Sequence, residues 1–180
     1  MICNNLKKCI EGQLTSFPVK NCNTRNMNKC IESSDNRSAV KCEENRKKYV
    51  FENTKRNHVI SYKMDGGIVV EDRTVPPNTN KCDYLFVVND TELTAILTEL
   101  KGVNVQKSLE QISGTLLLHK DVFKDFKRVY ARSIVTSSTP NLKATPAYTN
   151  LEKMLRQNYN GNIKICEKQF FEKDIESNKK

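Results

Sequence analysis

Residues 81–111 (KCDYLFVVNDTELTAILTELKGVNVQKSLEQ) constrain the fold more than any other stretch of the chain. Residues 84–88 and 95–97 are apolar runs rich in β-branched and aromatic side chains, with the turn pair Asn89-Asp90 between them. That pattern predicts two neighbouring strands. Three charges stand where a buried strand carries none: Asp83 opens the first run, and Glu99 and Lys101 close the second with Leu100 between them. Side chains alternate across a strand, so Asp83 shares a face with Leu85 and Val87, and Glu99 and Lys101 share one with Ala95 and Leu97. In-register pairing then gathers two carboxylates and an ammonium at the edge of an apolar sheet.

Ionised groups entering a core cost several kcal/mol each unless they are paired or bind an ion. Two adjacent carboxylates repel and invite a divalent cation. Mg²⁺ takes oxygen ligands, commonly one or two carboxylates together with water and substrate phosphate. A lysine beside such an ion can stabilise an attacking water or the developing phosphate charge. The residue types point to metal-assisted phosphodiester hydrolysis.

Asp83, fifteen intervening residues and then Glu99-Leu100-Lys101 resembles the PD-(D/E)xK nuclease superfamily, whose members share the restriction-endonuclease-like fold. Cys82 stands where the strict pattern has proline. The resemblance implies an acid on one core strand, acid-x-Lys on the next, and then a helix. It further implies Mg²⁺ or Mn²⁺ held by Asp83, Glu99 and the Leu100 carbonyl, with Lys101 orienting or activating water. A helix does follow in the pattern: Val105, Leu109, Ile112 and Leu116 form one apolar stripe, Gly102 frees the strand end, and Asn104 is placed to cap. Lys107, Gln111 and Thr115 line an adjacent face. The resemblance gives Gln111 a role at the water or the scissile phosphate, and a solvated polar face is the alternative.

Composition narrows the classes. Thirty Lys+Arg against 21 Asp+Glu give a formal net charge of +9, which favours a polyanionic partner without distinguishing DNA from RNA; it is the resemblance that implies DNA before RNA. Mean hydropathy is −0.63, and no apolar run approaches the ~18 residues that span a bilayer. The start MICNNLKKCIEGQL lacks the apolar core of an export signal, so a cytoplasmic protein without a membrane partner is expected. Seven cysteines in such a chain read as reduced thiols, and Cys3, Cys9, Cys22 and Cys30 form no CxxC pair, which argues against structural zinc. With His58 and His119 as the only histidines, and no HExxH, nucleophile elbow, Walker loop or GxGxxG, other catalytic classes fare poorly.

Along the rest of the chain, residues 1–33 read as a polar N-terminal appendage, with Ile10, Leu14 and Phe17 marking one short helix before Pro18. A helix is expected over 34–49, carrying Glu44, then Glu43, as candidate further acids. A hairpin is expected between residues 58–62 and 67–70 across Met64-Asp65-Gly66, with Asp65 explained by turn chemistry. Residues 76–80 form a loop. The basic stretch 119–132 leads into a strand over 128–135, and the loop 137–140 is placed near the phosphate groove. Asn150 is read as the cap of a helix carrying Leu151, Met154 and Leu155 that ends at Asn160-Gly161. Ile163 and Ile165 make a last strand, and 172–180 form a flexible tail. The expected architecture is α/β: a mixed sheet flanked by helices over 34–171, a restriction-endonuclease-like core with the small appendage. The expected function is a metal-dependent DNA endonuclease in restriction, phage defence or mobile-element biology. A homodimer, or a partner protein held through the appendage, would serve cleavage of both strands. The alternatives are a non-catalytic nucleic-acid-binding or assembly module on the same fold, and an RNase with the same site.

Overall fold

Leu85 and Val87 belong to one buried cluster and Phe86 and Val88 to another, so successive side chains of one strand fill cores on opposite faces of a sheet. The same alternation runs through Leu97 against Ile96 and Ala131 against Tyr130. In the computed structural model, which describes residues 1–15, 30–137 and 139–174, this sheet has six strands. Its order is β1 (Ile31–Asp35), β4 (His58–Lys63), β5 (Tyr84–Asn89), β6 (Leu93–Leu100), β7 (Arg128–Val135) and β8 (Ile163–Glu167). The first four strands run antiparallel to one another, while β7 lies parallel to β6 and β8 parallel to β7. The predicted strand pair is β5 and β6, joined in the register Tyr84↔Thr98 to Asn89↔Leu93.

Helices cover one face. α1 (Leu6–Leu14) buries Leu6 and Ile10, α2 (Val105–Leu118) buries its predicted stripe, and α4 (Pro146–Tyr159) buries Leu151 and Leu155. The short α3 (Lys120–Phe123) adds Phe123 to the same core. Asn104 caps α2 as expected, its side chain accepting from the Lys107 N–H at 2.9 Å. The other face carries a second sheet, β2 (Ala39–Glu44), β3 (Lys47–Glu52) and β9 (Gln169–Lys173), with β9 parallel to β3. Val40, Tyr49 and Phe51 from this sheet pack on Phe86, Ile96 and Ile134. The molecule is therefore α/β, with two mixed sheets and helices on one side. Among the described residues no helix is long and apolar enough to cross a membrane.

Several elements differ from the sequence expectations. Residues 34–49 are not a helix: they finish β1 and then form the hairpin β2–β3, paired from Ala39↔Glu52 to Glu44↔Lys47. The Asn45-Arg46 turn has φ of 48° and 63°, the left-handed geometry of a tight hairpin. Helix-forming Glu, Arg and Lys hid the deciding signal, the period-two burial of Val40 and Cys42 opposite Phe51 and Tyr49. Residues 67–70 do not pair back along β4. They fold into a tight loop in which the Ile68 and Val69 N–H groups donate to the carbonyls of Lys63 and Met64, with Gly66 at φ +74°. α4 starts four residues before Asn150, capped by Thr145 with proline at its first turn, and ends as expected on left-handed Asn160. β8 is not last. Glu172, placed by sequence in the tail, is fully buried in β9, and Asp174 beyond it is 3% exposed. The boundary expected at 33/34 falls inside β1, and Leu6 and Ile10 belong to the main core. Phe17, Cys22, Ser138 and residues 175–180 lie outside the described residues.

Candidate active site

Asp83 immediately precedes β5 and Glu99 is the penultimate residue of β6, so the antiparallel register sets them beside each other at one sheet edge. Each carboxylate accepts from the other strand's backbone. The Asp83 N–H donates to Glu99 Oε2 at 3.1 Å, and the Leu100 N–H donates to Asp83 Oδ2 at 2.7 Å. Lys101 lies just past the strand, its N–H bonded to the Ile134 carbonyl and its Nζ 3.9 Å from Glu99 Oε1. Asp83, Glu99, Leu100 and Lys101 are thus brought together as the strand pattern required.

The surroundings hold both acids in an unusual state. Glu99 is 1% exposed, and its pKa is pushed up to about 9 by burial first and then by the Asp83 charge, with Lys101 and the Asp83 N–H opposing. Asp83 is raised to about 6, again chiefly by burial, with the Leu100 N–H opposing and Glu44 and Asp65 adding repulsion. Without a cation, Glu99 retains at neutral pH a proton that an isolated carboxylate would have lost. A divalent cation would displace that proton and take the hard oxygen donors of the pair.

An open cleft of ≈ 510 Å³ reaches Asp83, lined by Glu44, Lys63, Asp65, Gly66, Asp83 and Tyr84. Glu44 reaches it from the end of β2, not from a helix, and Asp65 from the turn after β4. Glu43 does not: it is exposed on the opposite face of β2, 3.7 Å from Lys41. Asp65 also sits 3.4 Å from the buried Lys81 ammonium, which Glu71 holds at 2.7 Å. Lys63, Tyr84 and Lys81 carried no sequence signal as site residues, because only the packing of the β2–β3 hairpin over the sheet end creates the cleft. Among the described residues no three His, Cys, Asp or Glu side chains form a closed metal cage. Two carboxylates with a backbone carbonyl are the donor set that Mg²⁺ ordinarily completes with water and phosphate.

Gln111 neither reaches the carboxylates nor faces open solvent. Its Nε2 donates to the Lys81 carbonyl at 3.1 Å, while Oε1 is buried with no hydrogen-bond partner among the described residues. One turn on, Thr115 Oγ1 accepts from the Cys82 N–H at 2.7 Å, and one turn back, Lys107 Nζ donates to Asn80 Oδ1 at 2.8 Å. The polar face of α2 is therefore a clamp on residues 80–82, the lead into Asp83. Gly114 allows that approach, since a Cβ there would lie 2.3 Å from the Asn80 carbonyl oxygen. The histidines stand apart from this site: His58 bonds Ser34 at 2.9 Å, and burial lowers His119 to a pKa of about 4. Cys42, Cys82 and Cys166 are free thiols.

Comparison of the chain with protein-family models, with curated proteins and with solved structures finds no match.

Proposed function

We propose that this protein is a Mg²⁺- or Mn²⁺-dependent nuclease of the PD-(D/E)xK type that hydrolyses phosphodiester bonds in nucleic acid, with DNA the preferred substrate. One observation carries the reading: the buried Glu99 and the half-buried Asp83, interlocked through each other's backbone and raised in pKa, stand beside Lys101, with Asp83 in the wall of a solvent-open cleft. A purely structural ion pair would not need the second carboxylate, whose charge works against the first. The topology is compatible: an antiparallel meander β4–β5–β6, then a helix, then β7 parallel to β6, with the acids on the middle and third strands. The surplus of nine positive charges suits a polyanion.

In this reading Asp83, Glu99 and the Leu100 carbonyl would hold the ion, which would supply charge neutralisation at the phosphate and a lower pKa for attacking water. Glu44 and Asp65 line the same cleft as Asp83 and would add negative charge beside the ion. Lys101, held near Glu99, faces the negative charge that develops on the phosphoryl oxygens. Lys63 at the cleft wall is placed to engage a neighbouring phosphate. Gln111 acts through the Lys81 carbonyl by fixing the segment that carries Asp83, and not at the water.

The test is incubation of the full chain with duplex DNA, single-stranded DNA and RNA, each with Mg²⁺, Mn²⁺ or EDTA. Expected is cleavage that needs the metal and is abolished in Asp83→Asn. Nucleic-acid binding without cleavage under every metal would instead favour a non-catalytic module on the same fold, and preferential cutting of RNA would make it an RNase.

A further inference from the structure

The line of strand ends that carries Asp83 and Glu99 continues past them on both sides, and lysines stand along it. β4 ends at Lys63, which lines the cleft. Lys101 follows β6, and its N–H donates to the Ile134 carbonyl near the end of β7. Beyond β7 comes Lys168, in the turn from β8 to β9, whose N–H donates to the Val135 carbonyl at 2.8 Å. Neighbouring strands lie ~4.8 Å apart, so the four intervals from β4 to β8 separate Lys63 from Lys168 by ~19 Å, with the carboxylates between them.

The tip of the β2–β3 hairpin adjoins the far end of this line. The Lys48 N–H donates to the Lys168 carbonyl at 2.9 Å, which sets the Asn45-Arg46 turn beside the β8–β9 turn. Residues 45–48 and 167–169 together hold four cations and one carboxylate, Glu167. Arg46 and Lys168 are exposed, and among the described residues no carboxylate pairs with either. Of the acids just before the turn, Glu43 lies 3.7 Å from Lys41 on the outward face, and Glu44 stands in the cleft wall. Lys47 closes the hairpin opposite Glu44, on the side that Cys42 and Tyr49 bury, and is only 7% exposed. Its ammonium donates to the Asn45 carbonyl at 3.0 Å and meets no carboxylate among the described residues. A buried ammonium without a counter-charge is costly, and an anion at this turn would supply one. Both tips have left-handed backbone, φ 63° at Arg46 and 60° at Lys168. Asparagine adopts that geometry more readily than arginine or lysine, and does so in this chain at Asn78, Asn141 and Asn160. Arg56 shares the geometry at the opposite end of the sheet, away from this line. What Arg46 and Lys168 add to their turns is charge.

We propose that one strand of a DNA duplex crosses the strand ends from β4 to β8, with phosphates on Lys63 and Lys101 beside the carboxylates and a distal phosphate subsite at Arg46 and Lys168. Phosphates recur every ~3.4 Å of helix axis along one strand, so about five or six fit within this span. The inference rests on the reading of the cleft as a nucleic-acid site and says which way the substrate runs from it. Binding is therefore measured apart from cleavage, by fluorescence anisotropy of the full chain with a short labelled duplex in EDTA over a series of salt concentrations. The double variant Arg46→Asn/Lys168→Asn removes both charges where asparagine suits the backbone, so it should melt no lower than wild type. Its log–log salt slope should fall by about 1.8, two phosphate contacts at ~0.9 each, and that of Lys168→Asn alone by about 0.9. Lys127→Ala, at the opposite end of the sheet where the Lys127 N–H donates to the Leu93 carbonyl, should keep the wild-type slope. Wild-type slopes in the folded Asn variants would overturn the proposal. So would an equal fall in Lys127→Ala, or a chain that binds no duplex either in EDTA or, as Asp83→Asn, in Mg²⁺. Lowered slopes in a chain that cuts nothing with any metal would uphold the subsite and sink the nuclease reading, and unchanged slopes in a chain that cuts would do the reverse.

Discussion

At the scale of single residues, the chemistry turns on what Lys101 and Glu99 do with their charges. Lys101→Ala removes a cation and leaves both carboxylates in place. If the lysine stabilises the transition state, cleavage should fall a hundredfold or more, on the order of ~3 kcal/mol, with nucleic-acid affinity little changed. A lysine that only holds phosphate would weaken binding and lower the salt slope instead, and paired cleavage and binding assays separate the two. Glu99 makes a prediction without substrate. Its folded pKa of about 9 lies above its ordinary 4.5, so its stabilising contribution is whole below 4.5 and is lost as pH rises toward 9. Asp83, raised from 3.8 to about 6, adds a smaller loss in the same direction. Metal-free protein should therefore melt at progressively lower temperature from pH 5 to pH 9, by at most about 1.4 kcal/mol per pH unit for each such group. Glu99→Gln keeps an acceptor for the Asp83 N–H and carries no charge, so its melting temperature should vary much less across that range. A wild-type profile as flat as the variant's would show that Glu99 titrates normally.

At the scale of elements, α2 does two jobs with two faces. Its apolar stripe of Val105, Leu109, Ile112 and Leu116 packs on the sheet, and its polar face, Lys107, Gln111 and Thr115, grips residues 80–82. Gly114 separates the two accounts of this helix. By helix propensity alone Gly114→Ala should stabilise by about 1 kcal/mol. The contact with Asn80 says the opposite, because a Cβ at 2.3 Å from a backbone oxygen forces either the helix or the Asp83 lead to move. Thermal melts should show Gly114→Ala destabilised by about 1–3 kcal/mol, the usual cost of overpacking. Added Mg²⁺ should also raise its melting temperature less than it raises that of wild type.

At the scale of the whole molecule, the two sheets are joined by a fully buried ion pair. Arg132 of β7 donates from Nε at 2.6 Å and from its terminal nitrogen at 2.7 Å to the Glu172 carboxylate of β9, and both side chains are 0% exposed. Tyr49 from β3 and Lys164 from β8 donate to the same carboxylate at 3.0 and 3.1 Å. Burial alone would raise Glu172, yet Arg132 and Lys164 outweigh it and hold it below its ordinary range. Its contribution is therefore present above the ordinary carboxylate pKa and lost in acid, opposite in sign to that of Glu99. Glu172→Gln leaves the Arg132 guanidinium buried without a counter-charge, and chemical denaturation should show a loss of about 3–5 kcal/mol. A loss under 1 kcal/mol would mean that the small sheet is held by its apolar face alone.

The sequence by itself determined what depends on neighbours along the chain. Alternation in residues 84–88 and 95–97 specified β5 and β6, and that same parity placed Asp83 beside Glu99 before any tertiary contact was known. The stripe and the Asn104 cap specified α2, and Asn160-Gly161 marked the end of α4. What depended on distant partners was decided only by the fold. Residues 39–52 carry helix-forming charges, and packing on Phe86 and Ile96 makes them strands. Packing likewise turns Glu44 and Asp65 into cleft residues, because an acid in a turn or on an amphipathic surface has the same local signature whether it faces solvent or another carboxylate. Glu172 read as tail because its partner Arg132 is 40 residues away, beyond any local period. Gln111 shared its helical face with Lys107 and Thr115 in either reading, and only the path of residues 80–82 across that face made it a clamp.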